Sequence, residues 1–333
     1  VQIAVVVPAF NVAPYLRRAL DSMLRQTHTD WSLVVIDDGS TDATAAVAAA
    51  FTDPRIRLIR QGNAGVSAAR NRGVAAFLDG RIGFPGADST YCDDTRLPRA
   101  QTADAFLFLD GDDFLAPDAL VCLAETLEGA PWAVAACGRY ARVAADGATY
   151  RPGSRVAAPP PKGCLLEALL TRNRFANGGH LLIRREAIEV AGLFRQNLSY
   201  GEDWEYWTRV ALLGEFVAVH SRMPLLFVCE RAGGASLSNG SDPTAYRAAM
   251  EAIYANPAIA NRLGTLRVAH LWHAAEAEMA WSVGRELIRH GHRWAGQRWL
   301  GRSVCNAPSV RRFVLIGVSW LRSGPFQPYL TAR

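Results

Sequence analysis

Residues 2–7 read Gln-Ile-Ala-Val-Val-Val, a nearly unbroken apolar run that Pro8 is expected to end. A strand without polar alternation needs cover on both faces, which is the situation of a strand inside a parallel sheet flanked by helices. Similar runs recur at Trp31–Ile36, Ile56–Ile59, Ala105–Leu109 and Trp132–Cys137. Between them the spacing turns helical. Leu16, Leu20, Met23 and Leu24 mark a helix over about Ala13–Arg25, and Ser40 or Thr41 can cap one running through Phe51. Gly65–Leu78 and Leu120–Leu127, after Pro117, complete the set. Strands alternating with helices at short spacing predict an α/β chain with a Rossmann-like, mostly parallel, doubly wound sheet. Such sheets bind ligands outside the carboxyl ends of their strands. Here that edge carries Pro8-Ala9-Phe10-Asn11, Asp37-Asp38 and Asp110 to Asp113.

The last of these, Leu109-Asp110-Gly111-Asp112-Asp113, packs three carboxylates into four positions directly after a strand. Carboxylates this close raise one another's pKa unless a cation lies between them. Mg²⁺ and Mn²⁺ take oxygen ligands, and Mg²⁺ usually uses one or two carboxylates and fills its other positions with water and phosphate oxygens. A metal bridging protein and diphosphate is one reading. A helix cap followed by a solvated turn is the other, since Asp favours both places.

Net charge is +5, and Lys162 is the one lysine among 36 basic residues. Arginine holds phosphate through a rigid fork of donors, although an Ala- and Arg-rich chain also follows from genome composition alone. No nucleic-acid-binding signature accompanies the charge, so no nucleic acid partner is expected. Six scattered cysteines form no C-x-x-C and no zinc spacing, and Cys122 and Cys137 read as small core residues. With no leader-like segment, a reducing cytoplasmic setting is expected. The apolar stretch Phe313–Leu321 is too short to span a bilayer.

Gly80–Thr102 interrupts the strand–helix alternation and reads as an irregular surface excursion. Gly138–Lys162, rich in Gly, Pro and Ala, reads as a loop or hairpin. Gly201–Leu213 is a helix opening on acidic residues, and beyond about Thr244 the chain is helical without an internal repeat.

Five blocks in order carry a resemblance. They are Val5-Val-Val-Pro-Ala-Phe-Asn11, Leu33-Val-Val-Ile-Asp-Asp-Gly-Ser-Thr-Asp42, Gly62-Asn-Ala-Gly-Val-Ser-Ala-Ala-Arg-Asn71, Leu109-Asp-Gly-Asp-Asp113 and Gly201-Glu-Asp-Trp204 with Arg209 beyond. Together, over roughly residues 2–235, they resemble the inverting family 2 glycosyltransferases of GT-A fold. The resemblance implies a nucleotide-sugar-binding half over 1–137 with an insertion at 80–102. It further implies an acceptor-side half over 138–243, and the residues beyond the resemblance, 244–333, read as a helical, basic extension.

The resemblance gives Pro8, Ala9, Phe10 and Asn11 the role of wrapping the nucleobase and ribose. Phe10 can stack on a base, or else it is a core aromatic. Asp38 would read a pyrimidine edge, since a carboxylate accepts the ring N–H of uracil, while Asp37 braces the turn; turn chemistry is the alternative for both. Arg70 would lie near the nucleotide, satisfying a phosphate or holding an acidic strand end, unless it is a solvated surface charge. Asn63 and Gly65 would shape the loop before it. By the same resemblance Asp112 is the principal ligand of a divalent metal, Mn²⁺ or Mg²⁺. Asp110 would contact ribose or metal-bound water, and Asp113 would support the site or face the sugar. Asp203 corresponds to the general base, taking the acceptor hydroxyl proton as that oxygen attacks the anomeric carbon in line. Two first-turn acids favoured by the helix dipole are the alternative for Glu202-Asp203.

His180, Glu202 and Trp204 are expected on the acceptor side, although a lone His is more often structural. Cys229-Glu230-Arg231, leading to Ser236, stands where relatives carry Tyr-Arg near the diphosphate, and the departure puts that role in doubt. Gln297-Arg298-Trp299 has the wrong spacing for the similar element of processive synthases and is read as coincidence. Between Arg285 and Arg322 eight arginines accompany one acid, Glu286, with Trp294, Trp299 and Trp320 interleaved. This pattern suits a peripheral contact with the inner face of the membrane, or a helical bundle or homodimer with a solvated Arg face.

Expected partners are therefore a nucleotide-sugar donor, UDP-linked for preference, and a glycan or lipid-linked acceptor. A nucleotide-dependent oxidoreductase would need G-x-G-x-x-G after the first strand, where this chain has Pro-Ala-Phe-Asn. An aspartyl phosphatase would need D-x-D-x-T, and position 114 is Phe. A catalytically silent relative acting as scaffold or membrane-surface binder is the non-enzyme alternative. The 80–102 insertion is expected to overhang the active site and shape acceptor access.

Overall fold

The computed structural model describes residues 1–78, 103–144, 163–230 and 242–321. The 80–102 insertion, with its expected overhang, lies outside these residues. In chain order the elements are β1 Ile3–Ala9, α1 Ala13–Leu24, β2 Trp31–Asp38, α2 Thr44–Ala49, β3 Ile56–Gln61, α3 Val66–Phe77 and β4 Ala105–Phe108. Next come β5 Phe114–Leu115, α4 Ala119–Glu128, β6 Ala133–Cys137, β7 Arg139–Ala144, α5 Leu166–Thr171, a 3₁₀ turn Gly178–His180, β8 Leu181–Arg184 and α6 Arg185–Ala191. After α7 Glu202–Leu213, β9 Glu215–Ala218 and β10 Pro224–Glu230, the chain ends in α8 Pro243–Tyr254, α9 Pro257–Leu263, α10 Thr265–Arg289, α11 Arg293–Asn306 and α12 Val310–Leu321.

These elements form two compact units. One comprises Val1–Leu165, Phe175–Gln196 and Arg209–Arg231; the other comprises Leu166–Arg174, Asn197–Thr208 and Ala232–Arg333. Residues 138–243 contribute segments to both.

The first unit contains both sheets. The larger has the order β3-β2-β1-β4-β8-β6-β9, and β8 alone runs antiparallel to its neighbours β4 and β6. The smaller has the order β5-β10-β7. Every residue of β1 is buried. Ile3, Val5 and Val7 share a core with Leu16, Leu20 and Met23 of α1. Val6 points the other way, against α3, where Gly73 leaves so little room that an added Cβ would lie 2.2 Å from Val6 Cγ1. The two-sided burial read from the sequence is thus the contact of one strand with helices on both faces.

Pro8 lies inside β1 rather than ending it, because no backbone donor is missed there. The Val6 carbonyl faces β4, accepting from Leu109 N at 3.0 Å. Pro8, two residues on, points its backbone the same way, and the paired register with β4 has already stopped at Val6–Phe108. The second helix begins at Thr44, later than expected, and neither Ser40 nor Thr41 caps it. Ser40 Oγ accepts from Asn11 N at 3.0 Å and Thr41 N donates to Asn11 Oδ1 at 2.9 Å, so both are taken by the loop after β1. Asp42 Oδ1 receives Thr44 N instead. Within the span read as a loop or hairpin, 139–144 is the strand β7, paired in parallel with β10.

In the second unit α10 and α11 pack closely enough that a Cβ on Gly296 would lie 2.6 Å from Gly284 O. Ser303 Oγ donates to Ala277 O at 2.7 Å, Arg312 bridges from α12 to Glu278 at 2.6 Å, and Trp281, Ile288 and Leu300 form a small core with Ile316. The basic tail is therefore a helical bundle. Among the described residues no helix is long and apolar enough to cross a membrane.

Gly73→Val tests the α3–β1 contact. The branched side chain has to displace Val6 inside a strand that cannot shift, and overpacking of this kind costs about 1–3 kcal/mol. Urea denaturation should show a loss in that range with an unchanged m-value.

Candidate functional site

β2, β1 and β4 are adjacent and parallel, so their carboxyl ends open on one edge of the sheet. Phe10 and Asn11 follow β1, Asp37 and Asp38 end β2, and Asp110 to Asp113 follow β4. Phe10 is 44% exposed, so it is not a core aromatic, and the edge presents an aromatic face to solvent. Pro8 and Ala9 have buried side chains and can offer a ligand only backbone. Asn11 takes a positive φ of 51° and spends its side chain on the loop after β2. The loops after β1 and β2 are thereby tied together.

Both acids of the second strand end brace turns. Asp37 Oδ1 accepts Ser40 N at 3.1 Å and its Oδ2 meets Arg60 Nε at 3.4 Å. Asp38 accepts Gln61 Nε2 at 2.7 Å, Ala64 N at 2.9 Å and Gly65 N at 2.8 Å, which fixes the loop entering α3. Turn chemistry thus occupies Asp38 as well as Asp37. A carboxylate has about four acceptor sites, so three donors leave Asp38 room for one more.

Arg70 is not a surface charge. It is 3% exposed, its Nη2 donates to Asp110 Oδ1 at 3.1 Å, and its guanidinium lies 5.4 Å from the Phe194 ring centre. The neighbouring Asn71 clasps Phe194 with its amide, donating to Phe194 O at 2.9 Å and accepting Phe194 N at 2.7 Å. Sequence reasoning missed Asn71, although Ala69-Arg70-Asn71 was in view. Asn71 sets the ring on which Arg70 rests.

Asp113 is 2% exposed and so supports the site from within. It accepts Asn177 Nδ2 at 2.5 Å and Cys229 N at 2.8 Å. Burial, and after it the charges of Asp112 and Asp110, push its carboxyl well above the usual carboxylate range. Asn177 likewise carries no sequence signal of this role. Cys229 serves through its backbone, and Glu230 pairs with Arg142 at 3.3 Å.

Asp110, with a side chain 27% exposed, and half-buried Asp112 are the less buried carboxylates of the cluster. Among the described residues no three His, Cys, Asp or Glu side chains are grouped to hold an ion by themselves. Two carboxylates with oxygen donors nevertheless fit a hard divalent ion that completes its coordination with phosphate and water.

Asp203 belongs to the second unit. It sits in the first turn of α7 with Glu202 and Glu205, Trp204 N donates to its Oδ1 at 2.6 Å, and Asn173 Nδ2 lies 3.3 and 3.2 Å from its two oxygens. Trp204 is 1% exposed, with its indole N–H on Leu169 O at 2.6 Å and its ring against Tyr246. It anchors the start of the helix, and burial leaves it no face for an acceptor. Arg209 donates to the carbonyls of Ala191 and Leu193 at the end of α6.

Residues 4–103 match the profile of glycosyl transferase family 2. Over those residues, under a third of the chain, it is similar to that family. It is 29% identical over 208 residues to the uncharacterized glycosyltransferase EpsJ of Bacillus subtilis, covering 60% of this chain and 53% of the relative. The chain thus spans about half the length of this relative. Among solved structures it is similar to residues 1–349 of S. aureus TarS in complex with UDP, with a TM-score of 0.61 at 15% identity over 96% of this chain and 87% of that one. It is also similar to the mannosyltransferase PcManGT of Pyrobaculum calidifontis in complex with GDP-Man and Mn²⁺, with a TM-score of 0.53 at 18% identity over 96% and 79% of the two chains. These likenesses establish the GT-A fold.

His180, expected on the acceptor side, lies inside the first unit at 1% exposure. Its Nδ1–H donates to Gly138 O at 2.8 Å and its Nε2 accepts Ala176 N at 3.3 Å, so the ring is held neutral between Tyr140 and Phe175. Burial pulls its pKa from 6.5 down to about 4, against a small upward pull from Gly138. Between those values the unfolded chain binds the proton and the folded one does not, so stability falls as pH falls through that window. The span carries on the order of 3 kcal/mol. Urea titrations from pH 7 to 4 should show that loss in the wild type and a shallower slope in His180→Gln.

Proposed function

We propose that this chain is a family 2 glycosyltransferase and moves a sugar from a nucleotide-activated donor, a UDP-sugar first, to a hydroxyl of a glycan or lipid-linked acceptor, with inversion. The observation that carries this reading is the single sheet edge at which an exposed Phe10, the braced Asp38 and the Asp110–Asp112 pair come together. Phe10 offers a stacking face for a base, and Asp38 keeps acceptor capacity for a ring N–H. Asp110 and Asp112 would hold the divalent ion, which supplies Lewis-acid neutralisation of the leaving diphosphate. Arg70 keeps Asp110 in place, and Asn177 keeps Asp113 in place beneath it. UDP in the TarS complex and GDP-Man with Mn²⁺ in the PcManGT complex support this class of ligand.

Asp203 is the proposed general base. It removes the acceptor hydroxyl proton as the oxygen attacks the anomeric carbon, and Asn173 orients the carboxylate for that task. Glu202 beside it is the remaining acceptor-side candidate. The five described cysteines are free thiols, which supports a reducing, cytoplasmic setting. Trp294, Phe313 and Val314 are exposed on the basic tail helices, which supports a further contact of that bundle with a lipid surface or a second copy.

Calorimetric titration with UDP and with GDP, each with and without Mn²⁺, tests the donor half. Wild-type protein should bind UDP more tightly with Mn²⁺, and Asp112→Ala should lose that gain. Asp203→Ala should keep nucleotide affinity and lose about 10²–10⁴-fold in turnover. Metal-independent behaviour, or weakened nucleotide binding in the Asp203 variant, would overturn these roles.

A further inference from the structure

Two arginines of the first unit approach the acidic end of β4, and they differ in how their charge is answered. Arg70 has Asp110 at 3.1 Å. Arg18, two turns into α1, is half-buried, and its guanidinium lies 4.7 Å over the Phe114 ring, which is itself stacked on Phe227 at 4.8 Å. Its Nη2 meets Cys229 Sγ at 2.8 Å. Its Nε is enclosed with no acceptor. No carboxylate among the described residues pairs with it.

Cys229 does not answer that charge. Burial holds its thiol up at about 12 despite Arg18, so the cation faces a neutral S–H. The surroundings are nonetheless those of the site. Cys229 N is the donor to Asp113, and Asp113 directly follows Asp112. A half-buried guanidinium without a counter-ion is costly, and one lying on an aromatic platform keeps its shape and orientation while it waits. The fork that such a group presents fits phosphate oxygens, and the bond is of the charge-assisted kind.

We infer that Arg18 is an anion-binding residue that takes a diphosphate oxygen of the nucleotide donor. The inference rests on the donor reading given above and adds to it a second cationic contact, supplied by α1. Arg70 has a carboxylate partner in Asp110, whereas no carboxylate among the described residues pairs with Arg18. The Phe114–Phe227 stack fixes the height of the guanidinium, and Cys229 acts as a neutral spacer that does not compete with phosphate for it.

The experiment compares UDP, uridine and inorganic pyrophosphate, each with diamagnetic Mg²⁺, on wild type, Arg18→Ala and Arg18→Lys, by titration followed in ¹H and ³¹P NMR. A lost charged hydrogen bond corresponds to about a 10- to 100-fold loss of affinity. Arg18→Ala should lose that much for UDP and pyrophosphate and leave uridine within about twofold, with Arg18→Lys recovering part of the difference. Equal losses for uridine and UDP, or no loss for either, would overturn the inference and leave the donor reading intact. Pyrophosphate binding that depends on Arg18, without UDP or uridine binding, would keep the anion site and remove the nucleotide. Wild type that binds none of the three would remove both. If Arg18→Ala is unfolded by circular dichroism, Arg18→Gln, which keeps a polar side chain without the charge, decides on the same criteria.

Discussion

Carboxylates cannot simply end a buried apolar strand. Taking an ionised group out of water costs several kcal/mol unless donors or opposite charges meet it. Five Asp side chains end β2 and β4 of this sheet, and their compensation shapes the molecule around them. Asp38 is met by the amides of the loop before α3, Asp37 by Arg60 and Ser40, Asp110 by Arg70, and Asp113 by Asn177 and Cys229. Apart from Asp37–Ser40, which closes the turn after β2, each of these bonds reaches from one strand end to a loop or element elsewhere in the chain. The acids therefore hold the loops at this edge in position before any ligand arrives. The position of α3 depends on two of them, since Asp38 fixes its entrance and Asp110 receives its arginine.

Features with a local period were legible in the sequence. The continuous apolar runs gave β1, β2, β4 and β6, and the strand–helix alternation gave the doubly wound sheet. Asp and Gly at the strand ends marked the ligand edge. Features that depend on distant partners were not legible. Pro8 carries no sign that its neighbouring strand has already stopped pairing. Asn71, Asn173 and Asn177 are unremarkable as letters, and their roles appear only with the groups their amides reach, which for Asn71 and Asn177 are 123 and 64 residues away. The short strands β5, β8 and β9 span 2 to 4 residues each, too few for any alternation to show.

His180 and Trp204 make the complementary point. Both are chemically versatile residues next to motif positions, and both were expected to face an acceptor. The structure spends them on packing. His180 holds a carbonyl and an amide inside the first unit, and Trp204 pins the first turn of α7 through its indole N–H. Proximity in sequence to a functional residue carries little information about exposure, because neighbours on a helix or strand point to different faces.

The reversed strand β8 has a consequence for where the site can be altered. In a parallel sheet only the exits of strands reach the ligand edge. A strand running backwards brings its entrance there instead, so the segment Asn177-Gly178-Gly179-His180 ahead of β8 arrives beside the end of β4. This is how an amide from so late in the chain comes to support Asp113. The edge is thus built from departing segments, which carry the acids, and one arriving segment, which carries none. Changes of length or sequence upstream of Asn177 can therefore reshape the floor of the site while leaving every strand-end acid where it is.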